Sequence, residues 1–387
     1  MLTKNIDYSN FALKKLDKKI LGIFKKLLNE ENEIIKSLKK DYKDSYSKKT
    51  FAKLKKYTHV ILIGMGGSIL GARSIYSFFN KKVKKKFFFN DSYNSLNFHK
   101  KNKKKTLNLI ISKSGNTLET IVNSNILLGK SEKNIFLTEN KKSYLSELAE
   151  KLKSEVIHHN NFIGGRYSVL SEVGMLPAQL MGLNPKKFRR FNFLMKDKRF
   201  VNSLVQNVSG TLYLIKKKKY NSIILNYDEA SSDLFFWYQQ LIAESLGKKS
   251  KGILPIISNM PKDNHSLMQL YLDGFKKNFY TFFSVNETSS VYIDSNKLLK
   301  LHSFLKNKNL NDVKQSQYYA TQSVFKKKKI PYRNFLIKKR SEETLGELFI
   351  FFILETILLG KALDVNPYDQ PAVELIKSET KRFLKKN

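Results

Sequence analysis

LNLIISKSGNTLET, residues 107–120, is a short aliphatic run followed at once by a polar turn that contains one glycine. The run Leu107–Ile111 is typical of a strand buried in a parallel sheet, and the residues Glu119–Leu128 favour a helix. Between them, the segment Ser112–Thr117 places several oxygen-bearing side chains where the free backbone N–H groups of a helix start would point. The stretch therefore predicts an anion cradle suited to a phosphate, although an ordinary capped turn between a strand and a helix would show a similar pattern.

A second turn of the same kind, Gly64–Ser68 (GMGGS), follows the apolar strand Val60–Ile63 and precedes a helical stretch. Its glycines, Gly66 and Gly67 among them, let backbone amides approach an anion without a Cβ in the way, and Ser68 adds a hydroxyl. The loop has the glycine spacing of neither a dinucleotide fingerprint nor a Walker loop. Because further strands alternate with helices, we expect a parallel sheet with helices on both faces and both cradles at the carboxyl ends of its strands.

The composition excludes several kinds of protein. At 387 residues, of which 41% are hydrophobic, the chain is long enough for two domains with cores of their own. It has no cysteine, which rules out disulfides, thiolate catalysis and Cys-ligated metals and favours a reducing compartment. The six histidines form no pair with the spacing of a metal site, so we expect no metal and no other cofactor. Since no apolar run reaches the roughly 18 residues of a membrane span, we expect a cytoplasmic protein without a membrane partner.

The chain is strongly basic, with a formal net charge of +38 at pH 7. Only eight of its 71 basic residues are arginine, however, and lysine runs such as Lys216–Lys219 and Lys326–Lys329 fall between apolar segments, where loops are expected. Sequence-specific readers of nucleic acid favour arginine, whose planar fork grips bases and phosphates in a bidentate manner, and no zinc finger or RNP-like pattern is present. We therefore expect no nucleic-acid partner, while a basic surface would attract anionic metabolites.

Three polar side chains in the middle of the chain are candidates for chemistry. Paired glycines precede Arg166 in a predicted tight loop that would present the guanidinium, although a surface arginine beside a turn would show the same pattern. Gln240 and Glu244 are four residues apart in the predicted helix Ser232–Leu246 and therefore share one face. A single glutamate near a helix end is usually solvated, so this pair alone does not establish a catalytic carboxylate.

The C-terminal half adds three more candidates. His265 lies near the predicted start of a helix that opens at Pro261. Gln370 and Lys377 are seven residues apart in a predicted C-terminal helix, which would place them about two turns apart on one face. The long apolar stretch Glu343–Leu363 predicts a helix that we expect to form the core of an interface. None of these features indicates a function without the others.

Six segments, taken in order, carry a resemblance to one family: GMGGS, SKSGNTLET, GGRYSVLSEVG, QQLIAESLGK, KDNHSLMQLYLDG and NPYDQPAVELIK. Together they resemble the phosphoglucose isomerase family over about residues 57–377. The resemblance implies an α/β fold with two sugar-isomerase (SIS) domains, each a flavodoxin-like, three-layer unit around a parallel sheet. It also implies a homodimer whose active site lies at the subunit boundary.

The expected organisation has four parts. An N-terminal helical segment, residues 1–56, shows apolar residues at helical spacing between Phe11 and Leu28. The remaining parts are a first SIS domain at 57–185, a second SIS domain at 186–342, and C-terminal helices that form an arm at 343–387.

The resemblance also implies a role for each matching side chain. Glu244 would act as the catalytic base, Arg166 would meet developing negative charge, and His265 would open the sugar ring from the neighbouring subunit. The full catalytic set would be Arg166, Glu244, His265 and Lys377, and the glutamines that contact the substrate would be Gln240 and Gln370. The phosphate would be held by Gly66, Gly67, Ser68, Ser112, Lys113, Ser114 and Thr117.

The implied activity is the interconversion of glucose 6-phosphate and fructose 6-phosphate through a cis-enediol(ate), a step of glycolysis and gluconeogenesis. It needs a group that opens the ring, a carboxylate that carries a proton between C1 and C2, and a cation for the charge that develops on oxygen. It requires no metal or nucleotide. Two alternatives stay open: a bifunctional phosphoglucose/phosphomannose isomerase, and an SIS protein that binds sugar phosphates without catalysis. The sequence Ser114–Asn116 departs from the pattern of many relatives, which leaves the strictness of hexose selection open.

Overall fold

The computed structural model describes residues 1–11, 17–93, 105–129, 132–287 and 290–386. Leu13 and Leu16, which belong to the predicted N-terminal helical pattern, lie outside the described residues. The strands are β1 (Ile6–Ser9), β2 (His59–Gly64), β3 (Lys86–Asn90), β4 (Thr106–Ile111), β5 (Lys133–Thr138), β6 (Glu155–His158), β7 (Asn221–Asn226), β8 (Leu254–Asn259), β9 (Asn278–Val285) and β10 (Tyr332–Ile337).

Helices fill most of the intervals between the strands. They are α1 (Lys18–Asn29), α2 (Glu33–Ser37), α3 (Lys48–Leu54), α4 (Gly67–Phe78), α5 (Leu118–Leu127), α6 (Tyr144–Lys151), α7 (Glu172–Leu180), α8 (Pro185–Phe188), α9 (Phe191–Lys196), α10 (Lys198–Lys216), α11 (Ser232–Leu246), α12 (Met268–Asp273), α13 (Leu310–Lys327), α14 (Glu342–Ala362) and α15 (Val373–Leu384). Short 3-10 helices cover Gly165–Leu170, Glu229–Ser231, Lys262–Asn264, Ser295–Lys297 and Lys300–Leu305.

The strands form two five-stranded sheets, in the orders β3-β2-β4-β5-β6 and β1-β10-β9-β7-β8. Neighbouring strands run parallel in both sheets, except that β1 is antiparallel to β10. In each sheet the first parallel strand lies between the next two of the chain, β2 between β3 and β4 and β7 between β8 and β9. The strand order therefore reverses between β2 and β4 in the first sheet and between β7 and β9 in the second. In open parallel sheets, ligands bind at such switch points, just outside the carboxyl ends of the strands. The predicted parallel α/β fold is confirmed.

Strand β1 departs from the all-helical N-terminal segment that the sequence indicated. Its four residues pair with β10, with Ile6 opposite Ile337, and so extend the second sheet by one antiparallel edge strand. A strand this short has no local hydrophobic period, and its pairing partner lies more than 300 residues away in the chain, so its own residues do not predict it. The division of the chain into four parts stays a prediction.

Helix α14 is the centre of the core and not, as the sequence suggested, an interface. All its residues from Thr344 to Gly360 are buried, and it packs against α1, α8, α10 and α11. The ring of Trp237 on α11 meets Phe349 at 4.8 Å between centroids. A helix that is surrounded by its own chain is apolar on every side. A helix in a subunit interface can be just as apolar, so the sequence alone did not distinguish the two. Among the described residues, no helix is both long enough and apolar enough to cross a membrane.

Candidate active site

Two glycine turns meet where β2 runs into α4. The backbone of Gly66 has a φ of +53°, and a Cβ built there would lie 2.7 Å from Nε2 of Gln240. A Cβ on Gly67 would lie 2.1 Å from the carbonyl carbon of Gly165, next to Arg166. Carbon atoms pack at separations of about 3.5 Å or more, so only glycine allows the two loops to touch here. This close approach brings the first turn against both the arginine loop and α11.

The predicted phosphate loop lies at the end of β4, beside the first turn, since Gly64 and Ile111 are partners across the neighbouring strands. Ser112 is buried, and its hydroxyl lies 2.9 Å from that of Thr117, the residue that caps α5.

The tightest point of the loop is Gly115, whose φ is +67° and whose added Cβ would lie 2.1 Å from Oγ of Ser143. The amide of Asn116 donates to the hydroxyl of Ser114 at 3.2 Å. The Lys113 ammonium lies 3.5 Å from the Glu139 carboxylate, at the edge of the loop. The loop therefore has the hydroxyls, the free helix start and the nearby cation that an anion cradle requires.

Arg166 is held rigidly, with 3% of the residue exposed. Its Nε donates to Oγ of Ser245 at 2.7 Å, and its NH1 donates to Oε1 of Gln370 at 2.8 Å. Its NH2 donates to the main-chain oxygens of Pro367 at 2.9 Å and Asp369 at 3.0 Å. An arginine fixed by four acceptors cannot swing to follow a ligand, so it presents a positive charge of fixed position.

That fixed charge lies beside the carboxylate of Glu244, 3.3 Å from NH1 of Arg166. The other carboxylate oxygen accepts a hydrogen bond from Nε2 of Gln240, one turn earlier on α11, at 2.9 Å. The remaining polar atom of Gln240, Oε1, is buried and makes no hydrogen bond among the described residues. This oxygen is an unpaired hydrogen-bond acceptor, and a sugar hydroxyl could donate a hydrogen bond to it. The shared face predicted for Gln240 and Glu244 is present.

His265 and Lys377 lie apart from this cluster within the chain. His265 is exposed and follows the 3-10 turn Lys262–Asn264, and α12 begins only at Met268, so the predicted helix start at Pro261 is wrong. Lys377 lies on α15, where its side chain is 66% exposed and pairs with Glu374 at 2.7 Å. Among the described residues, no hydrogen bond or ion pair links either side chain to Glu244 or Arg166.

Gln370 is not part of the predicted C-terminal helix, because α15 begins at Val373. The prediction that Gln370 and Lys377 share a helical face is therefore wrong. Pro371 follows Gln370, and the residue before a proline is disfavoured in helical conformation. Gln370 instead lies in the loop before α15 and reaches Arg166.

Of the groups that hold Arg166 in place, only Gln370 was predicted as a site residue, and that prediction was for contact with the substrate. Ser245 accepts from Arg166 and lies 2.9 Å from the hydroxyl of Tyr167, which donates to the main-chain oxygen of Pro367 at 2.9 Å. Burial raises the pKa of Tyr167 to about 12, so its phenol keeps its proton and remains a donor. Within the described ranges, no three His, Cys, Asp or Glu side chains are placed to hold a metal ion.

The two parallel α/β units, with an anion cradle at a carboxyl edge and a carboxylate–arginine pair beside it, define a sugar-isomerase (SIS) protein. At the level of fold, the chain is similar to a solved structure of a hypothetical protein from Thermus thermophilus, with a TM-score of 0.80, 23% identity and coverage of 96% of this chain and 100% of that one. It is also similar to the structure of a glucose-6-phosphate isomerase from Chlamydia trachomatis, with a TM-score of 0.77, 16% identity and coverage of 99% and 89%.

The chain belongs to the phosphoglucose isomerase family, whose model matches residues 17–254. It is 30% identical to a glucose-6-phosphate isomerase of Methanocaldococcus jannaschii, over 98% of this chain and 93% of that protein. It is 32% identical to a glucose-6-phosphate isomerase of Mycoplasmopsis pulmonis, over 84% of this chain and 83% of that protein.

Proposed function

We propose that this protein is an aldose–ketose isomerase that interconverts glucose 6-phosphate and fructose 6-phosphate. Membership of the phosphoglucose isomerase family supports this activity. The observation that carries it is the contact of 3.3 Å between the carboxylate of Glu244 and the buried guanidinium of Arg166, next to the two glycine turns. A protein that only senses sugar phosphates would need the cradle but not a base beside a fixed cation.

The proposed reaction begins with the phosphate in the cradle formed by Gly66–Ser68 and Ser112–Thr117. The open-chain aldose then lies along the C-terminal end of α11. Glu244 removes the proton from C2, and Arg166 meets the negative charge that develops on the C1 oxygen. A proton then passes from the C2 hydroxyl to the C1 oxygen, and Glu244 returns its proton to C1, which leaves the ketone at C2. Gln240 and Gln370 hold hydroxyls of the sugar. The phosphate itself does not react, so its cradle contributes to binding and orientation more than to the barrier of proton transfer.

The proposal includes a homodimer in the cytoplasm, with His265 and Lys377 acting between subunits. His265 is exposed and outside the cluster of its own chain, as a residue that serves a neighbouring site would be. Helix α15 buries none of its residues, and its apolar side chains Leu375, Ile376 and Phe383 are 58–72% exposed. A surface of this kind is suited to cover a second subunit.

The direct test is the isosteric change Glu244→Gln, measured in a coupled assay of fructose 6-phosphate conversion with a chelator present. We expect kcat to fall by about 10³-fold or more, since general acid–base catalysis supplies roughly 10²–10⁴-fold and the amide also loses its attraction for Arg166. Inhibition by inorganic phosphate should persist, because the cradle is unchanged. A near-native kcat in this variant would remove Glu244 from the role of base. Mannose 6-phosphate as a parallel substrate separates the glucose-specific from the bifunctional activity.

A further inference from the structure

Lys248 links the catalytic helix to the loop that carries Gln370. It follows Gly247, the C-cap of α11, and lies four residues after Glu244. Its ammonium donates to the main-chain oxygens of Asn366 and Asp369, each at 2.5 Å, and pairs with the Asp369 carboxylate at 2.9 Å. An ammonium group has three N–H donors, and these acceptors use all three. The Lys248 side chain is only 12% exposed, whereas the Asp369 side chain is 51% exposed, so the loop covers the lysine while the carboxylate keeps contact with water.

The same loop also accepts hydrogen bonds from Arg166 of the proposed active site. The main-chain oxygen of Asp369 accepts from both Lys248 and Arg166, at 2.5 and 3.0 Å. Of the four acceptors that fix the guanidinium of Arg166, three belong to residues 367–370 and one is Ser245 on α11. The position of Arg166 therefore depends on a loop that has no regular secondary structure of its own.

The carboxylate of Asp369 completes the contact. The hydrogen bond and the charge of Lys248 lower the pKa of Asp369 below its ordinary value, so the carboxylate stays ionised at neutral pH. Its second oxygen accepts from Nδ2 of Asn366 at 2.9 Å, which closes the loop on itself. Lys248 thus meets a preformed set of oxygens and not a flexible end of chain.

We propose that Lys248 is a positioning residue for the isomerase reaction, fixing residues 366–370 so that the Arg166 guanidinium and Gln370 keep their places beside Glu244. This inference rests on the proposed function. Without the ammonium, the loop keeps its bonds to Arg166 and Tyr167 but loses the link to the end of α11. The guanidinium of Arg166 then moves with the loop that accepts its hydrogen bonds. The negative charge that develops on the substrate oxygen is therefore stabilised less well, because the cation beside it is no longer fixed in position.

The position of the C-terminal helix depends on the same contact. Since α15 buries none of its residues, its placement against the body of the chain is set by the segment that precedes it. Lys248 holds that segment four to seven residues before Val373. Lys251 holds a different point, the main-chain oxygen of Leu363 just after α14, with its ammonium at 2.7 Å. The two lysines of one turn therefore provide a matched pair for experiment.

The test compares Lys248→Met with Lys251→Met in the full-length protein. Both changes remove one ammonium from the turn after α11, but only the first frees residues 366–370. We expect Lys248→Met to lower kcat by roughly 10- to 100-fold, as for a misplaced catalytic group, with little change in the inhibition constant of inorganic phosphate, whose cradle lies elsewhere. Lys251→Met should leave both constants unchanged, and Lys248→Arg should recover part of kcat. A wild-type kcat in Lys248→Met, or an equal loss in Lys251→Met, would overturn the proposal.

A second measurement does not depend on activity. Hydrogen–deuterium exchange should become faster at residues 366–370 in Lys248→Met and stay unchanged there in Lys251→Met. Equal exchange in the two variants would refute the positioning role. An inactive wild-type enzyme would instead refute the proposed function while leaving this structural comparison intact. Should Lys248→Met fail to fold, Lys248→Gln, which keeps a shorter polar side chain, serves the same comparison.

Discussion

Gly67 is the position at which one added carbon atom would disturb the candidate site most directly. A Cβ there would lie 2.1 Å from the carbonyl carbon of Gly165 and 2.4 Å from the amide nitrogen of Arg166. Since carbon atoms pack at about 3.5 Å or more, Gly67→Ala must widen this gap by about 1.4 Å. The contact is between two stretches of backbone, so no side chain can rotate away to relieve it.

The expected effect follows from that displacement. Forced overpacking typically costs about 1–3 kcal/mol of folding free energy. A catalytic group misplaced by about 1 Å can lose about 10²-fold in rate, and the atoms that must move are the carbonyl group of Gly165 and the amide nitrogen of Arg166. We therefore expect Gly67→Ala to lower kcat/KM by roughly 100-fold while the protein still folds.

The assay is the coupled conversion of fructose 6-phosphate, together with thermal unfolding followed by circular dichroism. Gly22→Ala is the control, because an added Cβ on this exposed residue of α1 has nothing within 4 Å. Replacing glycine by alanine in a helix interior should raise the free energy of unfolding by roughly 0.5–1 kcal/mol and leave the kinetics unchanged. If Gly67→Ala keeps kcat/KM within threefold of the wild type, the two loops do not need their close approach, and the reasoning fails.

Two further predictions concern the cradle and the shared site. Ser112→Ala should raise KM several-fold with little change in kcat, because the hydroxyl that pairs with Thr117 at 2.9 Å belongs to the loop that we propose to hold the unreactive phosphate; a change confined to kcat would contradict this assignment. Inactive His265→Ala and Glu244→Gln subunits, when mixed, should regain up to half of the wild-type activity per mixed dimer, since one of the two sites then has both groups; verified mixed dimers without activity would exclude the in-trans role of His265.

The sequence predicted the parts of the site that are local in the chain. Helix α11 has the predicted bounds, Ser232–Leu246, and both glycine turns follow their predicted strands, β2 and β4. A buried strand that runs into a glycine turn and a helix has a signature within about 15 residues, because the hydrophobic period and the turn chemistry are properties of neighbouring residues. The two glycine turns could therefore be predicted to lie at the carboxyl edge of a sheet.

The contacts that could not be predicted are those with main-chain atoms and those between residues far apart in the chain. Arg166 and Lys248 both donate to main-chain carbonyl oxygens of residues 366–369. Since every residue has such an oxygen, the type of residue does not reveal which one accepts the bond. The predicted shared face of Gln370 and Lys377 is wrong for a local reason: Pro371 disfavours a helical conformation at Gln370, and α15 begins only at Val373. Only the fold brings Arg166 within reach of residues about 200 positions later.

The second sheet shows that position in a fold does not by itself make an active site. Its crevice between β7 and β9 corresponds to the one between β2 and β4, where the cradles lie. Here, however, Arg340 bridges the two carboxylates that follow these strands, bonding to Asp228 and, at 2.9 Å, to Glu287. The guanidinium of Arg340 is already paired with two carboxylates, whereas the first crevice is lined by the amides and hydroxyls of two glycine turns. The repeated topology supplies two equivalent edges, and the residues of the loops make the first of them suitable for a phosphate, while the second sheet contributes α11 and its carboxylate.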